Sequence, residues 1–205
     1  MDKLIIVGAS GHGKVVADIA KACHYDDIAF IDDNKSLKKC GNFDVIGTLE
    51  DLAHMKPCNV VVAIGNASAR KRIIQQLKEL DCEIVTLIHP TAVIGDNVAI
   101  GKGTVIAPGA VVNTGSIIGE GCIINTSSSV DHDCLLGDYV HVAVGAHVCG
   151  SVSIGTETWV GAGTVIINNI NVSPYCMIGA GATVISDITT PGTYVGTPAA
   201  LLQAK

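Results

Sequence analysis

The chain has 205 residues, of which 48% are hydrophobic, only 3% are aromatic and 23 are glycine. Such a chain can bury a substantial core, which excludes an intrinsically disordered protein. The formal net charge of −6 argues against a nucleic-acid-binding protein that neutralises phosphates with basic residues.

The first part of the chain alternates predicted strands and helices, which indicates a small parallel-sheet α/β domain of the Rossmann-like type. The predicted strands are Leu4–Val7, Ile28–Ile31, Asn59–Ile64 and Ile84–Leu87, and the predicted helices are Lys14–Cys23 and Ala67–Leu80. His89-Pro90 follows the last strand, and proline disfavours helix at the residue before it. We therefore expect two domains, residues 1–88 and residues 89–205, the second ending in a C-terminal tail.

A glycine-rich loop joins the first strand to the first helix, in the order Gly8-Ala9-Ser10-Gly11-His12-Gly13. Backbone N–H groups at such a junction can bind an anionic or polar ligand. The order differs from the dinucleotide-binding fingerprint, so a ligand site and a tight turn both remain open. Asp32-Asp33 ends the second strand, at the edge where open α/β sheets bind ligands, and a solvated turn is the alternative there.

A six-residue repeat runs through residues 94–189. Every sixth residue from Ile94 to Val184, 16 in all, is Ile, Val or Leu, and glycine often follows it directly. This period predicts a hexapeptide parallel β-helix, in which three hexapeptides form one triangular coil. Residues one coil apart then stack on each other, and the unbroken register leaves no protruding loop.

His132 is the candidate catalytic residue of the β-helix. It comes two positions after the interior residue Val130, which puts its side chain on the outer surface between Asp131 and Asp133. Gly150 lies one coil later and leaves open space beside the imidazole. A histidine beside a carboxylate and facing a glycine N–H predicts a general base with an oxyanion donor, and an ordinary exposed histidine is the alternative.

A metal site is not expected at this histidine. Asp131-His132-Asp133 could be joined by His141, which closes the same coil near Asn125. Adjacent residues in a strand point to opposite faces, however, and that geometry argues against chelation by the triplet.

The eight cysteines include no Cys-x-x-Cys pair and no zinc-ribbon spacing. We therefore expect reduced, packed thiols in a cytoplasmic protein. Residues 158–186 carry no charge, but their asparagines, proline and glycines fit the repeat, so no membrane span is predicted. Lys102 and Lys205 are the only basic residues after residue 89.

The combination of motifs resembles one family along essentially the whole chain: the nucleotide-sugar acetyltransferases with hexapeptide repeats. These include bacillosamine-pathway and perosamine N-acetyltransferases and sialic-acid-operon O-acetyltransferases. The similar segments are Gly8-Ala9-Ser10-Gly11-His12-Gly13-Lys14, Ile31-Asp32-Asp33, Ala63-Ile64-Gly65-Asn66 with Arg70, Asn125-Thr126-Ser127-Ser128 through His132, and Val195-Gly196-Thr197-Pro198-Ala199.

The resemblance implies a left-handed β-helix and a homotrimer whose active sites lie between neighbouring β-helices. It implies acetyl-CoA as the donor and a nucleotide-linked amino sugar as the acceptor. His132 matches the family's base, and Asp133 stands where the family usually has a glutamate, which is one methylene longer. His141 matches a histidine that lines the acetyl-CoA site, and Gly150 matches a glycine near the thioester carbonyl.

Two sets of binding residues are expected. Because the β-helix has few basic residues, backbone N–H groups of its later coils should hold the pantetheine arm of the donor. The expected acetyl-CoA contacts are His141, Gly150, Gly161, Ala162 and Gly179. The expected nucleotide-sugar contacts are Ser10, Gly11, His12, Gly13, Asp32, Asp33, Lys35, Gly65, Asn66 and Asn125.

Three functions compete at this point. The favoured one is N-acetylation of a nucleotide-linked amino sugar, such as a UDP-4-amino-4,6-dideoxy sugar, for bacterial glycan biosynthesis. The same base could instead deprotonate a hydroxyl, which would give an O-acetyltransferase acting on sialic acid or a related sugar. A non-catalytic sugar-binding or scaffold protein is the third, and it would release no CoA thiol with any acceptor.

Overall fold

The computed structural model describes residues 3–55, 59–80 and 82–202, so Lys205, one of the two lysines after residue 89, lies outside the described residues. The first part is the predicted α/β domain. Its elements are β1 (Leu4–Val7), α1 (Gly11–Ala22), β2 (Ile28–Ile31), β3 (Lys39–Cys40), β4 (Phe43–Asp44), α2 (Leu49–Leu52), β5 (Asn59–Val62), α3 (Ala67–Glu79) and β6 (Glu83–Ile84).

The central sheet of this domain is parallel, with the strand order β2-β1-β5-β6. β1 and β2 are buried along their whole length, as continuous apolar runs in parallel sheets are. The sequence patterns did not predict the antiparallel pair of β3 and β4 or the short helix α2. Helix α1 begins at Gly11 instead of Lys14, so the second half of the glycine-rich loop forms its first turn.

The predicted fourth strand, Ile84–Leu87, is wrong in its extent. Glu83–Ile84 pairs with β5, whereas Leu87–Ile88 pairs in parallel with Val105–Ile106 of the β-helix. The β-helix therefore starts one strand before His89-Pro90. The segment predicted as one strand thus contributes to two short strands that belong to different sheets.

The β-helix has three parallel sheets of short strands, which we call sheets I, II and III. Sheet I contains β7 (Leu87–Ile88), β10 (Val105–Ile106), β13 (Ile123–Ile124), β16 (His141–Val142), β19 (Trp159–Val160), β22 (Met177–Ile178), β24 (Thr193–Val195) and the antiparallel β25 (Ala200–Leu201). Sheet II contains β8 (Val93–Ile94), β11 (Val111–Val112), β14 (Ser129–Val130), β17 (His147–Val148), β20 (Val165–Ile166) and β23 (Thr183–Val184). Sheet III contains β9 (Ala99–Ile100), β12 (Ile117–Ile118), β15 (Leu135–Leu136), β18 (Ser153–Ile154) and β21 (Asn171–Val172).

The periodic Ile, Val and Leu residues form the interior of the β-helix, as the repeat predicted. From Ile106 to Val184 they are all buried in one cluster, while Ile94 and Ile100 are partly exposed at the first coil. Small residues such as Cys122 and Ala146 fill the corners of the same cluster. The hexapeptide period therefore specifies both the coil and its core.

The N-terminal domain packs against the outer face of sheet I. Leu87 and Val105 of that face share a hydrophobic cluster with Phe30, and Tyr139 shares another with Ile74 of α3. This contact covers most of sheet I and leaves the outer faces of sheets II and III uncovered.

No helix in the part of the chain that the structure describes is long and apolar enough to cross a membrane. Within residues 3–55, 59–80 and 82–202, no three His, Cys, Asp or Glu side chains are grouped so that they could hold a metal ion.

Candidate active site

His132 lies on the edge between sheets II and III, just after β14, and its side chain is 52% exposed. Its Nδ1 is 2.9 Å from Asp133 Oδ2. Asp133 reaches the ring from a left-handed backbone conformation with φ of +57°. One coil earlier, Gly115 leaves room for the carboxylate, since a Cβ there would lie 2.6 Å from Asp133 Oδ1. The aspartate therefore contacts the imidazole although it is shorter than a glutamate.

Asp131 fixes the backbone of His132. Its Oδ1 accepts hydrogen bonds from the His132 N–H at 2.9 Å and from Asn113 Nδ2 at 2.8 Å. The bond from Asn113, followed by that from His132, lowers the pKa of Asp131. Sequence reasoning missed Asn113, although its separation of 18 residues from Asp131, one full coil, was a signal that could have found it.

The carboxylates also set the basicity of His132. Its hydrogen bond to Asp133 is the largest cause and raises the pKa of the imidazole. Desolvation opposes this rise, and the negative charges of Asp131 and Asp133 add smaller contributions that raise the pKa. His132 is therefore a stronger base than a free histidine, with Nδ1 engaged and Nε2 left for a substrate.

Gly150 forms the surface that Nε2 of His132 faces. A Cβ on Gly150 would lie 2.5 Å from Nε2, so only glycine fits without moving the ring. Among the described residues, no acceptor takes a hydrogen bond from the Gly150 N–H, while its carbonyl accepts one from Asn169. A base and a free backbone donor thus lie side by side, as acyl transfer through a tetrahedral intermediate requires.

A second feature is a cleft of about 480 Å³ between the N-terminal domain and the outer face of sheet I. His141 lies in this cleft, with its ring centroid 4.1 Å from that of Trp159 and 6.4 Å from that of His12. Its Nε2 is 3.2 Å from Asn125 Nδ2. Gly65 faces the Trp159 ring, and a Cβ on Gly65 would be 3.7 Å from it.

Both histidines of the cleft are neutral at pH 7. Burial, followed by the positive charges of Arg70 and His12, lowers the pKa of His141 to about 3. Burial and the charge of Arg70 likewise lower the pKa of His12. Nε2 of His12 and Nδ1 of His141 are buried and make no hydrogen bond with the described residues. The two rings thus line the cleft with unpaired nitrogens that face inward from its surface.

The cleft continues along the edge between sheets I and II, where the expected donor contacts Gly161, Ala162 and Gly179 line it. The N–H groups of Gly161 and Gly179 already bond to Ile178 O at 2.9 Å and Tyr194 O at 2.8 Å. Ala162 N–H has no such bond to a described residue. The two glycines therefore serve the close packing of the cleft wall, since a Cβ on Gly161 would lie 2.5 Å from Ile178 O. The N–H group available to a ligand belongs to the residue after Gly161, which is Ala162.

Ala180 offers the same free N–H one coil above Ala162. Basic side chains are scarce along this wall, as expected. Lys102 is exposed, and its Nζ is 3.6 Å from Glu83 Oε1.

The glycine-rich loop has a structural role at Gly13. A Cβ there would collide with the carbonyl of Gly8 and lie 2.9 Å from Phe30 Cε1, so glycine permits α1 to pack closely on the sheet. Gly11 has open space around its Cα, and Ser10 precedes α1 as its N-cap residue without a side-chain capping bond. Gly11 and Ser10 are both exposed.

Asp32 organises the carboxyl end of the sheet. Its carboxylate accepts hydrogen bonds from Ala9 N at 2.8 Å and Asn34 N at 2.9 Å. With Asp33, Asp32 lines a crevice of about 150 Å³, and Asp33 also shares a cavity of about 500 Å³ with Lys35. Both acids thus lie at the ligand-binding edge that the strand order predicts.

Asn66 is the N-cap of α3, and its side chain accepts a hydrogen bond from Ala69 N at 2.9 Å. Since its oxygen is used for capping, its main role is structural. The expected nucleotide-sugar residues otherwise fall into two groups. Asp32, Asp33 and Lys35 line the crevice and cavity of the N-terminal domain, and His12, Gly65 and Asn125 line the cleft.

Sequence reasoning gave Arg70 no role, yet it joins the two domains. Its side chain is fully buried and donates to the carbonyls of Gly121 at 2.6 Å, Tyr139 at 2.6 Å, Ile64 at 2.8 Å and Gly65 at 2.7 Å. Burial lowers the pKa of Arg70 to about 10, so the guanidinium remains charged at neutral pH.

The structure does not bring His132 and the cleft together within one chain. His132, Asp133 and Gly150 lie on the edge between sheets II and III, whereas His141 lies on sheet I and Ala162 on the edge between sheets I and II. The two halves of the expected site thus flank sheet II on opposite sides.

Comparison with known proteins identifies related chains. Residues 3–77 match the PglD N-terminal domain family. UDP-N-acetylbacillosamine N-acetyltransferase of Bacillus subtilis (strain 168) is 34% identical over 111 residues, which cover 52% of this chain and 51% of that protein. The match thus spans about half the length of that relative. GDP-perosamine N-acetyltransferase of Escherichia coli O157:H7 is 33% identical over 158 residues, which cover 73% of this chain and 71% of that protein.

A solved structure is similar over nearly the full length. It is the acetyltransferase domain of PglB from Neisseria gonorrhoeae FA1090 in complex with acetyl coenzyme A. The TM-score is 0.95 and the sequence identity 39%, and the match covers 98% of this chain and 99% of that one.

Proposed function

Since the chain belongs to the family of nucleotide-sugar N-acetyltransferases with hexapeptide repeats, we propose that it transfers the acetyl group of acetyl-CoA to the amino group of a nucleotide-linked amino sugar. The observation that carries the proposal is the His132 arrangement. Asp133 holds Nδ1 at 2.9 Å, and Nε2 lies against the Cα of Gly150, whose N–H bonds to no described residue. A scaffold protein has no need of a base aligned in this way with an oxyanion donor.

In the proposed reaction, the amine nitrogen of the sugar attacks the thioester carbonyl while His132 Nε2 takes the proton from that nitrogen. The Gly150 N–H stabilises the oxyanion of the tetrahedral intermediate. When the intermediate collapses, the C–S bond breaks and the imidazolium returns the proton to the CoA thiolate. Asp133 stabilises the imidazolium throughout, and no covalent enzyme intermediate is needed.

The two groups of expected nucleotide-sugar residues would bind different parts of the acceptor. Asp32, Asp33 and Lys35 face the crevice and cavity of the N-terminal domain, which suit the nucleotide. The neutral His12 and His141 suit the sugar end, since both line the cleft and neither carries a charge that would repel an amino group.

For the donor, the free N–H groups of Ala162 and Ala180 suit the amide carbonyls of the pantetheine arm. Hydrogen bonds of this kind need no basic side chain, which accords with the scarcity of lysine and arginine in the β-helix.

The functional unit is proposed to be a homotrimer in the cytoplasm. His132 of one copy then meets the cleft of its neighbour, so each active site uses two chains. The sugar product would serve bacterial glycan biosynthesis. The buried thiols of Cys40, Cys122, Cys134 and Cys176 form no disulfide within the described part of the chain, as is usual for proteins of a reducing compartment.

The decisive experiment measures thiol release from acetyl-CoA with a panel of UDP- and GDP-linked amino sugars and with free sialic acid. Release with a nucleotide-linked amino sugar alone is the expected result. Release with sialic acid alone would make the protein an O-acetyltransferase, and no release with any acceptor would make it a binding protein.

A further inference from the structure

We propose that Asp131, held by Asn113 of the preceding coil, is a positioning residue for the reaction: its carboxylate fixes the backbone of His132 so that the imidazole lies against Gly150. The inference rests on the proposed function, because it assigns a further residue to the same reaction. Asp131 supplies His132 with a hydrogen-bond acceptor and with a negative charge. The effect on turnover is assigned here to the acceptor.

The two acids beside His132 contact different parts of it. Asp133 Oδ2 lies 2.9 Å from Nδ1 of the ring, whereas Asp131 Oδ1 accepts a hydrogen bond from the backbone N–H at 2.9 Å. The same oxygen of Asp131 accepts a second bond, from Asn113 Nδ2 at 2.8 Å. Asp133 therefore acts on the imidazole itself, and Asp131 acts on the peptide that carries it.

The corner that carries His132 has room for side chains that another corner excludes. In the corner between sheets III and I, the residue after the interior position is glycine in four consecutive coils: Gly101, Gly119, Gly137 and Gly155. A Cβ on Gly137 would lie 2.7 Å from Thr156 N of the next coil. In the corner between sheets II and III, the same position carries Asn113 and Asp131 in adjacent coils. Their side chains stack and bond to each other.

A second contact in this corner belongs to the fold in general. Ser116 Oγ donates to Asp131 O at 2.7 Å and accepts from Cys134 N at 3.1 Å. Thr104 makes the equivalent pair of bonds in the corner between sheets III and I. The contact that sets the His132 corner apart from that one is therefore the bond between the side chains of Asn113 and Asp131.

The position of the His132 ring needs this support because little else holds it. The side chain is half exposed, so packing restrains it weakly. Its Nε2 nevertheless lies so close to Gly150 that a Cβ there would be 2.5 Å away. A misplacement of about 1 Å in such an arrangement can cost about 100-fold in rate. The backbone from which the ring projects must therefore be fixed.

The charge of Asp131 has a separate and smaller effect. The hydrogen bond to Asp133 is the main cause that raises the pKa of His132, and the negative charge of Asp131 adds a smaller rise. Removal of that charge lowers the pKa of His132 and extends the neutral imidazole to lower pH. A change in the pH profile thus reports the charge, and a change in kcat at the pH optimum reports the position.

The test separates the acceptor from the charge. Asp131→Asn keeps an oxygen acceptor and removes the charge, whereas Asp131→Ala removes both. Asn113→Leu removes the second donor at nearly constant size. The matched control is Asp138→Ala, because Asp138 Oδ1 also accepts from a backbone N–H of the preceding coil, that of Glu120 at 2.8 Å, but in the corner between sheets III and I.

Three measurements are made on each variant. Thiol release at a series of pH values gives kcat and both Michaelis constants, and circular dichroism gives the folded state. Amide hydrogen exchange, followed by NMR, gives the protection of the His132 N–H. This last measurement depends on the backbone bond alone and requires no turnover.

We expect Asp131→Ala to lower kcat about 100-fold and Asn113→Leu about 10-fold, because Asp131 then keeps one of its two bonds. Both Michaelis constants should stay within about 2-fold, since the loss concerns the transition state. Asp131→Asn should keep kcat within about 3-fold and the His132 N–H protected, with the acidic limb of kcat/KM at lower pH. Asp138→Ala should behave as the wild type.

Three results would overturn the inference. Unchanged kcat in Asp131→Ala would show that the backbone bond does not matter. Equal losses in Asp131→Asn and Asp131→Ala would assign the effect to the charge. An equal loss in Asp138→Ala would assign it to the general stability of the coils. If Asp131→Ala does not fold, Asn113→Leu must lose turnover while Asp131→Asn keeps it.

Failure of the inference and failure of the proposed function give different results. A wild-type chain that releases thiol, with an Asp131→Ala variant that is equally fast, leaves acetyl transfer in place and removes the role of Asp131. A wild-type chain that releases no thiol with any acceptor overturns the proposed reaction. Loss of His132 N–H protection in Asp131→Ala, and its retention in Asp131→Asn, would then still support the positioning.

Discussion

Mixed trimers provide a quantitative test of the shared active site. The two halves lie on opposite edges of sheet II, so a chain with His132→Ala keeps a working cleft, and a chain with His141→Ala keeps a working base. In the proposed trimer, each substitution alone should inactivate every site, by at least about 100-fold for the base. A mixed trimer is different, because one of its interfaces joins the two unaltered halves.

The expected recovery follows from the symmetry. In a closed ring with two chains of one variant and one of the other, only one of the three interfaces pairs an intact His132 with an intact cleft. The result is the same for either composition, so mixed trimers should show roughly one third of the wild-type turnover. The two variants are co-expressed with different affinity tags, purified through both tags, and assayed by thiol release at saturating substrates.

Two controls define the baseline. Each variant alone must have the mass of a trimer and wild-type circular dichroism, since His141 is buried and its removal leaves a cavity. Mixed trimers that remain as inactive as the two parents would refute the reasoning, because a site contained within one chain recovers nothing on mixing.

Three further predictions concern the base, the acceptor domain and the domain junction. Asp133→Asn should move the acidic limb of kcat/KM to lower pH, because the carboxylate raises the pKa of His132 and the reaction needs the neutral imidazole. Replacement of both Asp32 and Asp33 by Ala should raise the acceptor KM and spare the donor KM, as steady-state kinetics will measure. Arg70→Met should lower the free energy of unfolding in urea by about 3–5 kcal/mol, because it leaves buried carbonyls without donors.

The outcomes that contradict these predictions are specific. An unchanged acidic limb in Asp133→Asn would mean that another group controls the pH dependence. Equal changes in both Michaelis constants would remove the acceptor role of the N-terminal acids. Arg72→Met is the matched control for the junction, since Arg72 lies on the same helix but is exposed, and its effect should stay within about 0.5 kcal/mol.

The regular parts of the fold could be predicted because one residue class repeats with one period. Each interior Ile, Val or Leu marks the end of a short strand, and the same pattern recurs in every coil. An error in the predicted bounds of one strand is therefore not carried into the next coil. The prediction failed at Ile84–Leu87, where a segment that is apolar apart from Thr86 leaves one sheet and enters another. The hydrophobicity of these residues indicates that they are buried, but it does not indicate which sheet they belong to.

The candidate site was predictable where its residues stack one coil apart. His132 faces Gly150 as the period requires, and the same rule applied once more would have paired Asn113 with Asp131. Arg70 could not be found in this way, because its acceptors lie in the other domain and are backbone carbonyls, which leave no trace in residue identity.

The expected acetyl-CoA contacts on the edge between sheets I and II show most clearly what a sequence can and cannot specify. The sequence predicts donor contacts at Gly161, Ala162 and Gly179, but the coil-to-coil ladder already uses the N–H groups of the two glycines. Glycine is needed there because a Cβ would press against the next coil. The free donors belong to Ala162 and Ala180, where any residue except proline would supply the same N–H. If the donor binds these backbone groups as proposed, the sequence is constrained by the corner geometry, and the side chains at positions 162 and 180 are almost unspecified.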